Sequence, residues 1–190
     1  QGARLISSPS PEWGPFMRQT MAAGVRPWWH TVGSYSEDKR RYKDIPPLMA
    51  WHERNERYLF DRKPVASVGL VWSDENSLYY GRDHAFERVQ DPWLGMSQAL
   101  VRNRIPFVAL HADDIDRDAA DLKTLVLPNI GALSDEQVAS IRRFVARGGG
   151  LFATGDTGLY DRYGQPRSDY AFADLFGAHR TSEAPTPLLK

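Results

Sequence analysis

The stretch that decides the fold is Leu125-Val-Leu-Pro-Asn-Ile-Gly-Ala-Leu-Ser-Asp-Glu-Gln137. It opens with a short apolar run at 125–127, which predicts a strand that ends at Pro128-Asn129. Ser134 and Gln137 then have the spacing of a capping box, in which both side chains satisfy backbone N–H groups at the start of a helix. A buried strand that leads into a capped helix indicates an α/β fold.

The residues after the cap complete a strand–helix–strand unit. Apolar residues at 138, 141, 144 and 145 lie on one helical face, and Gly148-Gly-Gly150 supplies the helix stop. The run at 151–154 predicts another strand. These glycines lead from a helix into a strand, whereas a phosphate-binding loop leads from a strand into a helix. We therefore interpret them as a stop and not as a phosphate site.

Two further apolar runs precede this unit, at 65–72 and at 107–110. Between them the sequence predicts a polar and aromatic loop at 73–84 and a helix at 92–103. A short crossover turn is predicted at 115–122. Strands that alternate with helices predict a doubly wound parallel sheet with right-handed crossovers.

The first third of the chain has a different character. A helix is predicted at 13–23, a strand at 25–32 and a second helix at 46–59. Two helices and one strand cannot bury a core by themselves. We therefore predict two domains, 1–63 and 64–190.

The composition excludes several classes of protein. The 190 residues carry no net charge at pH 7, whereas nucleic-acid and membrane-surface proteins normally have a basic surplus. The chain has no cysteine, which excludes disulfides, thiolate metal sites and a cysteine nucleophile. No apolar run reaches the roughly 20 residues that span a bilayer. We expect no nucleic-acid partner, no membrane partner, no cofactor and no metal, and a cytoplasmic location is favoured.

The region 122–177 is similar to a known family. The segments Leu122-Lys-Thr-Leu-Val-Leu-Pro-Asn, Phe144-Val-Ala-Arg-Gly-Gly-Gly-Leu-Phe-Ala-Thr-Gly and Ala173-Asp-Leu-Phe-Gly closely resemble the trimerisation domain of family 42 β-galactosidases. The resemblance implies a flavodoxin-like fold of the class I glutamine-amidotransferase type. It also implies self-association of the intact parent as a homo-oligomer, specifically a trimer, with carbohydrate as the parent's ligand.

Two upstream segments extend this resemblance. Met21-Ala-Ala-Gly-Val-Arg-Pro-Trp-Trp-His-Thr and Trp51-His-Glu-Arg-Asn-Glu-Arg-Tyr look like the end of a (β/α)8, or TIM, barrel. The pattern is closest to hypothetical glycosyl hydrolases that carry the trimerisation domain. The expected protein is thus a TIM-barrel remnant followed by a flavodoxin-like domain that is truncated at its C-terminus.

The candidate substrate-binding residues lie in the barrel-like segment. Retaining glycoside hydrolysis needs two carboxyl groups roughly 5 Å apart, and no such pair can be assigned there. Glu12, placed in the loop before the first helix, is a candidate to face the sugar, although acids also favour helix starts. The resemblance places Trp28, Trp29 and His30 at the end of the last barrel strand, where they either contact substrate or pack against the next domain.

Other catalytic patterns in the chain are incomplete. In amidotransferases the nucleophile is a cysteine assisted by histidine, and Thr157 could only be a poor substitute. Asp156-Thr-Gly158 matches the aspartic-protease tripeptide, but that chemistry needs two such aspartates. His111 with Asp113 and Asp114 is the nearest approach to a metal cluster, and the spacing fits a strand-end loop better.

The loop after the first domain strand is the remaining candidate site. In doubly wound sheets, ligands bind at the carboxyl ends of the strands. The candidates for a ligand site or a subunit interface are Asp74, Glu75, Asn76, Tyr79, Tyr80 and Arg82.

These observations lead to one main hypothesis and two alternatives. The main one is a non-catalytic assembly module of a putative glycoside hydrolase with a β-galactosidase-like parent. The first alternative is a flavodoxin-like module that binds a small molecule, such as a sugar. The second is a hydrolase that uses Thr157 or Glu12.

Overall fold

A computed structural model of the protein describes residues 10–24, 43 and 45–181. The chain divides into two compact units, 1–63 and 64–190. None of the helices in the described ranges is long and apolar enough to cross a membrane.

The first unit contains three described helices, α1 (Ser10–Ala22), α2 (Ile45–Arg54) and α3 (Glu56–Leu59). The predicted start of α1 at residue 13 is wrong, because proline is tolerated in a first turn and Pro11 does not delay the helix. Glu12 therefore lies within α1 and not in a preceding loop. The predicted strand at 25–32 lies outside the described residues.

The second predicted helix of this unit is interrupted. It divides into α2 and α3 at Asn55, whose side-chain Nδ2 donates to the carbonyl of Trp51 at 2.8 Å. Asparagine competes with the backbone for hydrogen bonds in this way, so it favours turns over helix interiors. In the same unit the Arg62 guanidinium donates to the carbonyl oxygens of Met21 and Ala22 and thereby ties the end of α1 to the segment after α3.

The second unit is built on a four-stranded parallel sheet, which confirms the predicted α/β, doubly wound fold. The strands, in chain order, are β1 (Val68–Trp72), β2 (Phe107–His111), β3 (Thr124–Pro128) and β4 (Gly150–Thr154). Their order in the sheet is β2-β1-β3-β4, and all pairs are parallel. The helices of this unit are α4 (Asp91–Arg102), α5 (Ile115–Asp118), α6 (Asp135–Ala146) and α7 (Ala173–Phe176).

The two faces of the sheet are covered unequally. One face carries the large core, in which Phe144 and Ile141 of α6 and Ile115 of α5 pack on Leu125 and Leu127. The opposite face has a smaller core around Leu70, Leu100 and Val126, with partly buried Trp93 and Phe107. The capping box at the start of α6 is present as predicted.

The predicted loop at 73–84 is wrong, because this segment is helical. It forms a π-helical stretch (Asn76–Gly81), a 3₁₀ turn (Arg82–His84) and a second π-helical stretch (Phe86–Gln90) before α4. The wide π turn does not follow the 3.6-residue period. Within 73–84 the apolar residues are the consecutive Leu78, Tyr79 and Tyr80, so no spacing of three or four marks a helical face there.

The arginines near the end of α6 connect it to other elements. Arg142 pairs with Asp174 of α7, and Arg143 pairs with Asp116 of α5. Hydrogen bonds from Arg143 and then Ser140 hold the pKa of Asp116 below its usual value. The arginines lie near the C-terminal end of α6, where the helix dipole favours cations, and they also join α6 to α5 and α7.

One carboxylate connects the last described residues to the domain. Asp169 accepts hydrogen bonds from the backbone N–H groups of Tyr170 and Arg180 and lies 2.6 Å from His179 Nδ1. The Arg180 N–H, the His179 ring and the Tyr170 N–H lower the pKa of Asp169 to about 2. A carboxyl group with a depressed folded-state pKa stabilises the fold above its unfolded-state pKa of about 3.9, and this contribution is lost as the pH falls through the folded-state value.

We therefore expect Asp169→Asn to destabilise the chain most at neutral pH. The difference in urea midpoint between wild type and variant should shrink between about pH 4 and about pH 2, because protonated Asp169 resembles asparagine. Asp83→Asn, at an exposed turn position, is the control. A difference in urea midpoint between wild type and Asp169→Asn that stays constant down to about pH 2 would contradict a stabilising role of the ionised Asp169.

Candidate functional site

The strand order identifies the part of the sheet where a ligand is expected. In an open α/β sheet the chain leaves neighbouring strands toward opposite faces at a switch point, which opens a crevice at the carboxyl ends. In this sheet β1 lies between β2 and β3, so the crevice lies between the ends of β1 and β3. The residues that follow these strands are Ser73 and Asn129.

The crevice is filled by the protein's own side chains. Tyr80 is buried, and its hydroxyl donates to Asp156 Oδ2 at 2.9 Å and accepts from Asn129 Nδ2 at 3.2 Å. Burial raises the pKa of Tyr80 to about 12. Its ring packs so closely on Gly131 that a Cβ there would lie 2.7 Å from Tyr80 Cδ2. Tyr80 therefore fills the crevice in which this topology is expected to hold a ligand.

Asn76 closes the crevice from the β1 side. Its side chain is fully buried, donates through Nδ2 to the carbonyl of Asn129 at 3.1 Å and accepts from the Ala132 N–H at 3.0 Å. The Asn76 N–H itself donates to Ser73 Oγ at 3.2 Å. One asparagine thus joins the segment after β1 to the segment after β3.

The segment after β4 takes part in the same network. Asn129 has a φ of 54°, and its Oδ1 accepts from the Asp156 N–H at 2.8 Å. Thr157 is buried, accepts from the Ile130 N–H at 3.1 Å, and has Oγ1 2.7 Å from the Thr154 carbonyl oxygen, to which it donates. A buried hydroxyl that donates to a backbone carbonyl is not available for attack on a substrate. The hypothesis of a Thr157 nucleophile therefore has no support in this geometry.

A second depression lies beside the filled crevice, at the same edge of the sheet. It is a surface cavity of about 370 Å³. Its polar wall is formed by Asp74, Glu75, Asp113, His111 and Arg162. These residues come from the end of β2 and from the segments after β1, β2 and β4, which the parallel sheet brings to one edge.

The capping-box glutamine holds two of the cavity's carboxylates. Gln137 Nε2 donates to Glu75 Oε2 at 2.9 Å and to Asp113 Oδ1 at 2.7 Å. The other Glu75 oxygen, Oε1, accepts from Arg162 Nη2 at 3.0 Å. Because Gln137 is itself buried, both carboxylates are fixed to the first turn of α6, where the helix dipole stabilises negative charge.

His111, at the end of β2, lies between the other acidic groups. Its Nδ1 is 3.3 Å from Asp113 Oδ2, and its Nε2 is 3.7 Å from Asp74 Oδ2. The Asp74 carboxylate also accepts from Trp72 Nε1 at 2.9 Å. Within the described part of the chain, no group of three or more potential ligands has the arrangement needed to hold a metal ion.

Aromatic side chains form the rest of the wall. The rings of Tyr79 and Tyr163 are 5.7 Å apart and nearly perpendicular. The Arg162 guanidinium lies over the Tyr163 ring, 5.6 Å from its centroid. Tyr163 is 58% exposed and Leu78 is 67% exposed, so the cavity offers flat apolar surface to solvent.

The structure separates the residues that the sequence analysis grouped on this segment. Asp74, Glu75 and Tyr79 line the cavity, whereas Asn76 and Tyr80 fill the crevice. Arg82 has a φ of 46°, and its Nε donates to the Tyr79 carbonyl at 2.9 Å. Its role as a site residue remains a prediction.

Two residues of the cavity, Arg162 and Tyr163, are not among the predicted site residues, and His111 and Asp113 are predicted only as the nearest approach to a metal cluster. One signal for them was present, because all four follow predicted strands and parallel strands end at one edge. The other candidates lie elsewhere. Trp28, Trp29 and His30 are outside the described residues, and so is the side chain of Glu12.

Several solved structures have folds similar to that of this chain. The chain is similar to a GH42 β-galactosidase from G. stearothermophilus, with a TM-score of 0.62 and 18% identity over 80% of this chain and 23% of that one. A β-galactosidase from Rahnella sp. R3 has a TM-score of 0.60 and 17% identity over 87% of this chain and 27% of that one. An α-L-fucosidase from Paenibacillus thiaminolyticus has a TM-score of 0.50 and 22% identity over 74% of this chain and 21% of that one.

The chain therefore spans less than a third of each of these three solved proteins. No family model and no curated protein sequence matches it. At these identities the likeness concerns the fold alone. The chain has an α/β fold similar to that of a part of the GH42 β-galactosidases.

Proposed function

We propose that this chain is a non-catalytic assembly module of a larger carbohydrate-active enzyme and that it contributes to a homo-oligomer, a trimer in the intact parent. Residues 1–63 are the end of the catalytic barrel in this proposal, and 64–190 are the trimerisation-type domain. Carbohydrate is the ligand of the parent enzyme. The solved structures support this assignment, because the chain matches only part of each glycoside hydrolase.

The proposal rests mainly on β4, one face of which is only partly covered by other side chains. Phe152 is 50% exposed, and it faces away from Leu151 and Ala153, which pack in the large core. Its cross-strand neighbour Val126 belongs to the smaller core on the opposite face. Strands of a doubly wound sheet are normally covered on both faces, and an exposed large apolar side chain at a sheet edge is a feature of interfaces.

The filled crevice supports the non-catalytic part of the proposal. Tyr80 and Asn76 occupy the position where this topology normally holds a ligand. Thr157 is engaged in structural hydrogen bonds, and the chain has no cysteine. We expect the purified chain to release no nitrophenol from nitrophenyl glycosides above the rate of the buffer. Enzyme-like turnover that resists further purification would contradict this.

We expect Phe152→Asp to weaken self-association of the chain about tenfold. Covering the exposed half of a phenyl ring contributes about 1–2 kcal/mol, and each 1.4 kcal/mol is a factor of ten in the association constant. Sedimentation velocity over a wide range of protein concentrations measures the effect.

Val65→Asp is the matched control, because Val65 is 92% exposed and lies before β1, away from β4. It should leave the association constant unchanged. A wild-type chain that stays monomeric at every concentration, or equal association by Phe152→Asp and wild type, would contradict the proposed role of this face.

A further inference from the structure

The cavity beside the crevice has the size of a small-molecule site. Pockets that hold small ligands have volumes of about 300–1,000 Å³, and this one has about 370 Å³. This volume leaves room for a single sugar ring with its hydroxyl groups. It lies at the carboxyl edge of the sheet, where ligands of doubly wound proteins bind.

The charges of the cavity select the class of ligand. The carboxylates of Asp74, Glu75 and Asp113 outnumber the single guanidinium of Arg162. That guanidinium already donates to Glu75 Oε1, so it is partly neutralised. Anionic ligands such as phosphates need a surplus of cations or free N–H donors. This wall instead offers hydrogen-bond acceptors, which suit hydroxyl and ammonium groups.

The acceptors are held in place before a ligand arrives. Gln137 fixes Glu75 and Asp113 from the protein side. Asp74 is held by Trp72 Nε1, and its side chain is still 73% exposed. Side chains that are already positioned lose little conformational entropy on binding. Adjacent hydroxyl groups of a sugar match such an arrangement because each can donate to a different carboxylate oxygen.

The aromatic wall complements these acceptors. Tyr163 presents an exposed ring at a right angle to Tyr79. A flat aromatic face packs against the C–H groups on one face of a sugar ring, and it also attracts an ammonium group electrostatically. Carboxylates on one side and aromatic rings on the other therefore match a molecule that has both apolar C–H faces and hydroxyl or amino groups.

We propose that this cavity binds a neutral or cationic sugar, either a hexose or a hexosamine, and excludes sugar phosphates. The site is separate from the crevice filled by Tyr80 and from the exposed face around Phe152. The proposal therefore goes beyond the assembly role and does not depend on it.

The test is an NMR titration of the isotope-labelled chain with ligands that share one ring and differ in charge. These are glucose, glucosamine and glucose 6-phosphate, and galactose and mannose extend the hexose series. We expect saturable shifts of the amide signals of Asp74, Tyr79 and Tyr163 with at least one hexose or hexosamine. The corresponding phosphate should bind at least about tenfold more weakly.

Two variants and one matched control locate the binding. Tyr163→Ala and Asp74→Asn each should weaken binding at least about tenfold, and their exposed positions leave the thermal midpoint near that of wild type. Tyr58→Ala is the control, because Tyr58 is 62% exposed with Arg57 over its ring, as Tyr163 is with Arg162. Tyr58→Ala should bind like wild type.

Three results would overturn the proposal. They are the absence of saturable shifts with every hexose and hexosamine, preferred binding of the sugar phosphate, and unchanged binding in both cavity variants. If Tyr163→Ala changed the oligomeric state and left sugar binding unchanged, the cavity would be a subunit contact and not a ligand site. Loss of self-association in Phe152→Asp is measured separately, so each proposal can fail alone.

Discussion

Replacing Asn76 with alanine is expected to lower the free energy of unfolding by about 2–4 kcal/mol. The change leaves the buried N–H of Ala132 without its acceptor, and it removes a donor from the Asn129 carbonyl. An unsatisfied buried polar group costs about 1–3 kcal/mol, and the lost packing of a fully buried side chain adds to this. Urea unfolding followed by circular dichroism measures the difference.

Asn103→Ala is the matched control for this prediction. Asn103 is also an asparagine that donates to a backbone carbonyl, that of Ala99, but it is exposed. Its replacement should change the free energy of unfolding by less than about 0.5 kcal/mol. Equal effects of the two alanine variants would show that Asn76 does not join the segments after β1 and β3 in the way that its contacts indicate.

The second large effect is expected at the centre of the main core. Phe144 of α6 is fully buried and contacts the residues of both α5 and the sheet. Phe144→Ala should lower the free energy of unfolding by about 3–5 kcal/mol, because the ring leaves a cavity that the neighbours only partly fill. A loss below about 1 kcal/mol would mean that the ring is not enclosed in the folded protein.

Gly149 allows this contact to be tested through a double-mutant cycle. A Cβ at Gly149 would lie 2.2 Å from Phe144 Cε1, and the buried ring has no room to move away. Gly149→Ala alone should lower the free energy of unfolding by about 1–3 kcal/mol, because the added methyl group overpacks the core. In the Phe144→Ala background, Gly149→Ala should lower the free energy of unfolding by less, because the ring that its Cβ would meet is gone. The losses of the two single variants should therefore not add up to that of the double variant.

The proposed assembly face and the proposed sugar cavity use different parts of one sheet. The assembly face is the side of β4 that carries Phe152, where the smaller core leaves the strand half covered. The cavity is at the carboxyl edge, where Gln137 supports Glu75 and Asp113. Self-association and sugar binding are therefore expected to respond to different substitutions.

The sequence by itself determined the elements whose signals are local. The apolar runs gave β1 to β4 within a few residues, and Ser134 with Gln137 gave the start of α6. Each signal depends on residues that are close in the chain, such as a capping side chain and the N–H three positions away. The alternation of strands and helices was sufficient to predict the parallel, doubly wound sheet.

Local signals failed where helix geometry is irregular. The segment at 73–84, which the sequence predicts to be a loop, is helical; its apolar residues are consecutive, and its π turns do not follow the 3.6-residue period of an α-helix. The predicted start of α1 at residue 13 is also wrong, because Pro11 lies in the first turn of the helix, where proline is tolerated.

Only the tertiary structure decided how the candidate residues divide between two sites. Asn76 and Tyr80 turn inward to Asn129 and Asp156, whereas Asp74 and Tyr79 turn outward to meet His111 and Tyr163 in the cavity. These partners are far apart in the chain and come together through strand order and register. Residues that are neighbours in sequence can therefore serve opposite roles, because side-chain direction and long-range contacts depend on the packed fold and not on local spacing.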